Sequence, residues 1–398
     1  MNQLFFVETG QRIKILFITK WFMNRHDPQI GVFIRKHASA AALHNDVALL
    51  CVLSDATQHN LIEIEEQKIG NIQTWVVYHR KFNSPLMPLN TVINFSRYLR
   101  ANRKGLKAIR KKFGRHDITH AYILLRPLFI AWWMKMTKGI PIVVSEQWSG
   151  YATGKFSEKN FFVKFISRWL FRQAGAATVV SEFLKTKMVA AGMENNYTVT
   201  PNIAEPSAKK TSPLSSNGKI KIITVADLVD EIKNISGTIK AIAKIAATNK
   251  EIEFHIIGHG KDELLLKNLA KEYGLLDSTI FFHGVKPNEE VFQFLYASNF
   301  LVMNSWFETF SLICIEAMSC GIPVIATRCG GPEQFINRDT GILIEPGDAE
   351  QLRIAIETMI STFMKYDSKR LADFANSQFS MKGVGEKFDE IYRNLLNR

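Results

Sequence analysis

The chain has 398 residues, 46% of them hydrophobic and 22% charged, which excludes a disordered or collagen-like polymer and suits two domains at roughly 100–200 residues each. No run approaches the ~18 uncharged apolar residues of a membrane-spanning helix, and residues 1–12 lack the basic start and apolar block of an export signal, so a cytoplasmic protein is expected. The net charge of +13 is uneven: residues 1–200 hold 28 Lys/Arg against 12 Asp/Glu, giving +16, and the remainder 22 against 25, giving −3, so the two halves face different partners.

Residues 13–19 (IKILFIT), 46–53, 72–77, 118–122 and 140–145 read as strands, each followed by helix-like sequence. Strand and helix in alternation predict a parallel sheet with crossover helices. Residues 97–115 carry nine Lys/Arg around Leu99, Leu106, Ile109 and Phe113. Such a basic amphipathic helix suits an anionic membrane surface, and a plainly solvated face is the alternative. No nucleic-acid motif accompanies the charge, so no nucleic-acid partner is expected. Residues 161–171 (FFVKFISRWLF) read as an apolar helix with scattered bases, expected in the core rather than as a membrane anchor.

Residues 201–218 (PNIAEPSAKKTSPLSSNG) are rich in Pro, Ser and Lys without a period, the composition of a linker. Beyond them the alternation restarts with strands at 220–225, 253–257, 279–282, 300–303 and 323–326. The fold class is therefore α/β, with two Rossmann-like doubly wound domains. Ligands of such sheets bind at the carboxyl ends of the strands, and the chemistry is expected in a central cleft that the domains face. Cys51, Cys314, Cys320 and Cys329 lack zinc-site spacing and read as reduced, mostly buried thiols.

The window 304–333 (NSWFETFSLICIEAMSCGIPVIATRCGGPE) reads strand, turn, helix, glycine stop, strand, glycine turn. Ser311 is placed to cap the helix, whose first N–H groups and dipole form an anion site. Glu308 precedes that helix and Glu316 lies about a turn and a half inside it, two carboxylates suited to sugar and ribose hydroxyls. Alone, the pair would read as a surface residue and a solvated helix position. Gly258-His259-Gly260 lacks the third glycine and the downstream acid of a dinucleotide fingerprint, so nicotinamide is not expected and His259 reads as a loop residue.

Glu308 and Glu316 with seven residues between them, followed by Gly321-Ile-Pro-Val-Ile-Ala-Thr327, Gly330-Gly-Pro-Glu333 and Gly341-Ile-Leu-Ile-Glu-Pro-Gly-Asp348, closely resemble the signature of family 4 retaining glycosyltransferases. Ile257-Gly-His-Gly260 and Phe282-His-Gly284 extend the resemblance upstream; Gly31-Val-Phe33, Val179-Val-Ser-Glu182 and Pro201-Asn202 carry it more weakly into the first half. The resemblance implies the GT-B fold: residues 1–205 as an acceptor-binding domain, 206–378 as a nucleotide-sugar-binding domain, and 379–398 as a helix returning to the first. It also implies roles. Glu308 would bind the donor sugar, Lys233 would neutralise the diphosphate and Gln147 would touch the sugar as the third catalytic position. Gly31, Asn234, Thr309, Phe310, Ser311, Leu312 and Glu316 would bind the donor, with Glu316 on the ribose and Gly31 letting a first-domain loop approach the diphosphate.

The implied activity is metal-independent retaining transfer of a hexose-type sugar from a UDP- or GDP-sugar to a sugar or lipid-linked glycan. It fits surface polysaccharide or glycolipid assembly, peripheral on the inner face of the membrane, with no organic cofactor. Two positions depart from the family. Asp227 stands where arginine is usual; either it turns away to cap the following turn while Arg328 substitutes, or donor binding is weakened. Gln147 stands where histidine is common and cannot become cationic. Beside it, Glu146 is either a strand-end carboxylate buried against a base or an acceptor-side group. A catalytically silent nucleotide-sugar-binding or partner-binding relative is the alternative; a nucleotide-sugar epimerase is disfavoured by the Glu308–Glu316 spacing.

Overall fold

Runs rich in Val, Ile and Leu alternate with amphipathic stretches along the chain, and in the computed structural model, which describes residues 11–27, 30–85, 87–204 and 218–397, they form two sheets. The chain divides into two units: one runs to Ile203 and takes in the chain again from Met381, and the other spans Ala204–Ser380. Most of the linker at residues 201–218, from 205 to 217, lies outside the described residues.

The first unit contains β1 (Lys14–Thr19), β2 (Asp46–Asp55), β3 (Ile62–Ile69), β4 (Ile72–Arg80), β5 (Ile118–Tyr122), β6 (Ile142–Glu146), β7 (Ala176–Val179) and β8 (Tyr197–Val199). They lie in the order β3-β4-β2-β1-β5-β6-β7-β8. One departure from strand-then-helix is clear: β2 is followed by β3, which pairs antiparallel with β4. Its sequence, IEIEEQKI, opens with the period-two alternation of a half-exposed strand, and its glutamates guard the sheet edge.

The helix Met381–Leu396 packs on the helix Val32–His44 in this unit. Gly385 permits the contact, since a Cβ there would lie 2.5 Å from the Ala40 carbonyl oxygen. Phe388 and Tyr392 reach the core shared with Phe17 and Tyr122. A buried polar network crosses that core. His37 Nε2 lies 3.0 Å from the Pro201 carbonyl oxygen and Nδ1 lies 2.7 Å from the Tyr122 hydroxyl. A carbonyl only accepts, so Nε2 donates and the neutral Nδ1 accepts from Tyr122. His120 links Tyr392 and Ser145, both at 2.7 Å.

The second unit contains β9 (Ile220–Val225), β10 (Ile252–Ile257), β11 (Ile280–Phe282), β12 (Phe300–Met303), β13 (Val324–Thr327) and β14 (Gly341–Ile344). All pairings are parallel, in the order β11-β10-β9-β12-β13-β14. Winding runs outward from β9 to β11, then reverses to start at β12. The corresponding reversal in the first unit lies between β1 and β5.

Two helices differ from expectation. The basic one spans Met87–Lys112; it buries Ile109, leaves Leu99 exposed, and Phe113 and Arg115 follow its end. The helix Phe161–Arg172 is not a core helix: Phe161, Phe162 and Phe165 are 70%, 73% and 58% exposed, and only Ser167, Leu170 and Phe171 are buried. Apolar residues occur around most of its circumference, so composition alone did not select the inward face. Among the described residues no helix is long and apolar enough to cross a membrane.

Burial pushes the His37 imidazole down to about 4 from an ordinary 6.5, so the unfolded chain binds a proton there that the folded chain does not. Stability therefore rises with pH between those values and is lost as pH falls through them, with a slope of up to ~1.4 kcal/mol per pH unit for each such histidine. We predict that the urea midpoint falls on acidification from pH 7 to pH 5, and that His37→Gln, although less stable at pH 7, shows a shallower pH dependence.

Candidate functional site

The second unit gathers its polar side chains where the winding reverses, at the carboxyl ends of β9 and β12. After β9 the chain closes a tight turn, Val229 N–H donating to the Asp227 carbonyl at 2.8 Å. A four-residue helix, Asp230–Lys233, follows. Asn234 then takes a left-handed conformation, φ 48°, before the helix Ile235–Ala246. The Asp262 carboxylate accepts from Asp230 N–H, and the Asp230 carboxylate accepts from Ser236 N–H, both at 2.8 Å. Asn304 donates to the Asn234 carbonyl at 3.2 Å. This framework fixes the start of the Lys233 side chain.

Opposite it, the loop after β12 carries Glu308. Its backbone is clamped by the glycine turn after β13: Glu308 N–H donates to the Cys329 carbonyl at 3.2 Å, and Gly331 N–H donates to the Glu308 carbonyl at 2.9 Å. The Glu308 carboxylate receives Lys233 Nζ at 2.6 Å and the Ser305 hydroxyl at 3.0 Å. Burial works against the Lys233 charge, but the Glu308 carboxylate, its hydrogen bond and Asp227 outweigh it and hold the ammonium above its ordinary range. Lys233 is thus a cation at neutral pH.

The helix Leu312–Ser319 begins four residues beyond Glu308. Ser311 precedes it, but its side chain does not cap: it is left-handed, φ 67°, and its hydroxyl meets Cys314 Sγ at 3.1 Å. The positive dipole end and first-turn N–H groups therefore lack a side-chain acceptor from Ser311. Phe310 anchors the approach, its ring packing on Phe335 and Phe379 at 5.7 and 5.8 Å. Glu316 sits inside the helix at 6% exposure. Lys233, Asn234, Glu308, Thr309, Phe310, Ser311, Leu312 and Glu316 thus belong to one unit, on segments converging at one end of one sheet.

Asp227 does not cap the following turn with its side chain; only its carbonyl closes that turn, while the exposed carboxylate acts on Lys233 through space. Arg328 does not take the missing arginine's place, because Glu345 holds it at 3.2 Å. His259 is a loop residue paired with Glu263 at 2.6 Å. The glycines flanking it serve packing: a Cβ on Gly258 would lie 1.8 Å from the Ala226 carbonyl oxygen, and one on Gly260 2.4 Å from that of Leu228. Ser305, Asn304 and Asp262 escaped the sequence reading. They are single polar residues at loop positions, with no period or spacing to mark them.

Gly31 and Gln147 belong to the first unit. Gly31, φ 73°, starts the helix Val32–His44, and a Cβ there would lie 2.6 Å from the Trp21 carbonyl oxygen. Gln147 is half-buried, and its Nε2 has no hydrogen-bond partner among the described residues. Glu146 is indeed a buried strand-end carboxylate, but peptide groups rather than a base hold it: Gln147 and Trp148 N–H at 2.9 Å, and Leu124 N–H at 3.1 Å. Burial outweighs these three donors and raises its pKa. It lines a cavity of about 240 Å³ with Lys20, Trp21, Trp148, Tyr151 and Ser167. Burial, and Arg126 behind it, lower the Lys20 pKa. The Tyr151 and Ser167 hydroxyls are buried without partners among the described residues.

Residues 36–202 match the model of the glycosyl transferase 4-like domain, and residues 207–373 that of glycosyl transferases group 1. N-acetyl-alpha-D-glucosaminyl L-malate synthase of Bacillus anthracis is 28% identical over 194 residues, 47% of this chain and 49% of its own. Glycogen synthase of Mycobacterium tuberculosis is 24% identical over 272 residues, 65% and 64% of the two chains. The chain thus spans about half to two thirds of the length of these curated relatives. Sucrose-phosphate synthase of Thermosynechococcus elongatus superposes with a TM-score of 0.74 at 18% identity, over 96% of this chain and 99% of that one. The Anabaena protein HepE in complex with UDP does so with 0.72 at 16% identity, over 96% and 100%.

The glycine turn that clamps Glu308 admits a direct check. A Cβ on Gly331 would lie 2.3 Å from Phe310 N and 2.5 Å from Thr309 C, both rigid backbone atoms. Gly331→Ala should cost roughly 1–3 kcal/mol, as overpacking does, measured as a lowered urea midpoint.

Proposed function

The chain belongs to the group 1 glycosyltransferases, with a 4-like first domain and the two Rossmann-like domains of the GT-B fold, and from this premise we propose that it moves a hexose-type sugar from a nucleotide-diphosphate sugar to an acceptor hydroxyl with retention of configuration and without a metal ion. The observation that carries the reading is the 2.6 Å contact between Lys233 and Glu308 beside the N-terminus of the helix Leu312–Ser319. A cation, a carboxylate and a helix dipole at one sheet end are what a sugar diphosphate needs. Without donor, Lys233 and Glu308 neutralise one another, so neither charge is left uncompensated. With donor, Lys233 turns to the diphosphate, Glu308 accepts hydrogen bonds from sugar hydroxyls, and the N–H groups of Thr309, Phe310, Ser311 and Leu312 meet the phosphate and sugar. Glu316 takes the ribose, and Asn234 lies beside the diphosphate.

As the glycosidic bond breaks, charge grows on the departing nucleoside diphosphate. The Lys233 ammonium and the helix N-terminus meet that charge in place and need no reorganisation. The acceptor hydroxyl attacks on the face the leaving group vacates and passes its proton to a departing phosphate oxygen. On this reading the first unit binds the acceptor, and Gly31 and Gln147 keep the donor-side roles that the family resemblance implies, the Gln147 amide having no partner among the described residues. The cavity lined by Glu146, Tyr151 and Ser167 suits a hydroxylated acceptor. The UDP in the Anabaena structure supports a uridine donor, with GDP the other candidate. A lipid-linked glycan acceptor, in surface polysaccharide or glycolipid assembly at the inner membrane face, fits the basic first unit.

Asp227 favours a second reading, a silent relative that binds nucleotide sugar or a partner enzyme. Its exposed carboxylate would repel the diphosphate, while Arg328 is engaged by Glu345.

Incubation in EDTA with UDP-, GDP- and ADP-sugars and a lipid extract, read as nucleoside diphosphate release, separates the two. We predict acceptor-dependent release, a loss of about 10²- to 10³-fold in kcat/KM for Glu308→Ala and for Lys233→Met, and tighter donor binding by Asp227→Arg. Proton NMR of the product should show the donor's anomeric configuration. No release from any donor, with or without metal, together with donor binding by calorimetry, would establish the silent relative instead.

A further inference from the structure

The helix Phe161–Arg172 has an outer face that no described residue of its unit covers. At 100° per residue, Phe161, Phe162, Phe165, Ile166 and Trp169 fall on one side, and all five are exposed. Lys164 and Arg168 border that arc, and Arg172, paired with Glu194 at 2.9 Å, falls at its edge between Phe161 and Phe165. The strip continues beyond the helix. The Trp169 ring meets Trp132 at 5.1 Å, Trp132 meets Phe129 at 5.7 Å, and Phe129 meets Phe95 at 6.1 Å. It therefore crosses the helix Arg126–Lys138 and reaches the helix Met87–Lys112, with Val92, Leu99, Trp133 and Met136 exposed along it.

Scattered exposed apolar residues are ordinary, whereas a contiguous strip over three helices marks an interaction surface. Its charge selects the occupant. Residues 87–172 contain 17 Lys/Arg against three Asp/Glu, and one of those acids, Glu146, is buried. An anionic bilayer answers both features, with acyl chains for the aromatic rings and acidic headgroups for the bases beside them. A second copy of this chain would bring the same positive charge to the contact.

We propose that this strip is a membrane-docking face, on which the helix Phe161–Arg172 lies in the headgroup layer of an anionic bilayer with Phe161, Phe162 and Phe165 inserted. The basic helix alone, as read from the sequence, offers only charge; the aromatic strip adds depth. Val163 and Ser167, on the other flank of the docked helix, line the cavity that holds Glu146, so docking places that cavity beside the headgroups. This consequence rests on the lipid-linked acceptor proposed above; the docking itself does not, and its test needs no donor.

The test is sedimentation of the full chain with vesicles of phosphatidylcholine, with and without phosphatidylglycerol, comparing the wild type, Phe161→Asp/Phe165→Asp and Arg103→Glu/Lys107→Glu. Both altered aromatic positions are exposed, and unchanged melting temperatures confirm folding. A Phe162→Cys variant carrying an environment-sensitive fluorophore reports insertion independently. We expect binding that requires phosphatidylglycerol, falls at least about tenfold in the aromatic variant, persists in part in the charge variant, and raises the probe's emission. Binding that the aromatic variant retains, or an unchanged probe signal, overturns the proposal. So does failure of the wild type to bind alongside a concentration-dependent dimer that the aromatic variant abolishes, which would assign the strip to a second copy.

Discussion

A parallel sheet wound in both directions from a central strand leaves a break in its helical cover where the winding reverses, and there strand ends and helix N-termini stand open together. Both units of this chain are built on that constraint. In the second unit the break lies between β9 and β12, and Lys233 and Glu308 reach into it from opposite sides to meet at 2.6 Å. In the first it lies between β1 and β5, bordered by Lys20, Trp21 and the peptide groups that bind Glu146. What surrounds each break serves position: Asp230, Asp262 and Asn304 fix the Lys233 loop, and the turn at Cys329–Gly331 grips the backbone of Glu308 from both sides.

The strands at 118–122, 220–225 and 300–303 were legible to the residue; the last is an apolar run, FLVM, bounded by Asn299 and Asn304. The edges were not. β3 carries the Ile-Glu alternation of a half-exposed strand in a sequence otherwise built of buried parallel ones, while β7 and β8 are only four and three residues long. The carboxylate spacing at Glu308 and Glu316 marked the candidate site, since both lie on one continuous stretch. Its supporting shell was illegible because Asp262 acts on a residue distant in sequence and Cys329 through its backbone carbonyl, while Ser305 is a single loop hydroxyl with no period to mark it. Asp227 shows the same limit from the other side. Its identity was plain and its departure from the family visible, but its orientation depended on a turn closed by its own carbonyl.

Charge is apportioned between the units as the proposed division of labour requires. The second unit's loci are near-neutral pairs, Lys233 with Glu308 and Arg328 with Glu345; on the proposed reading only the first exchanges its partners for the donor. The first unit keeps its excess of bases on the surface, beside aromatic rings that burial did not claim. A helix apolar on most sides can face either way; in Phe161–Arg172 the sheet took Leu170 and Phe171 and left the phenylalanines at its start outside.

The central claim is that Glu308 and Lys233 exchange one another for the sugar and the diphosphate of a donor. Calorimetric titration in EDTA, using the active donor and its nucleoside diphosphate alone, tests it most directly. Glu308→Ala is expected to weaken the donor by about tenfold or more while leaving the diphosphate's affinity nearly unchanged, and Lys233→Met to weaken both. Equal losses for donor and diphosphate in Glu308→Ala, or wild-type affinities in both variants, would contradict it.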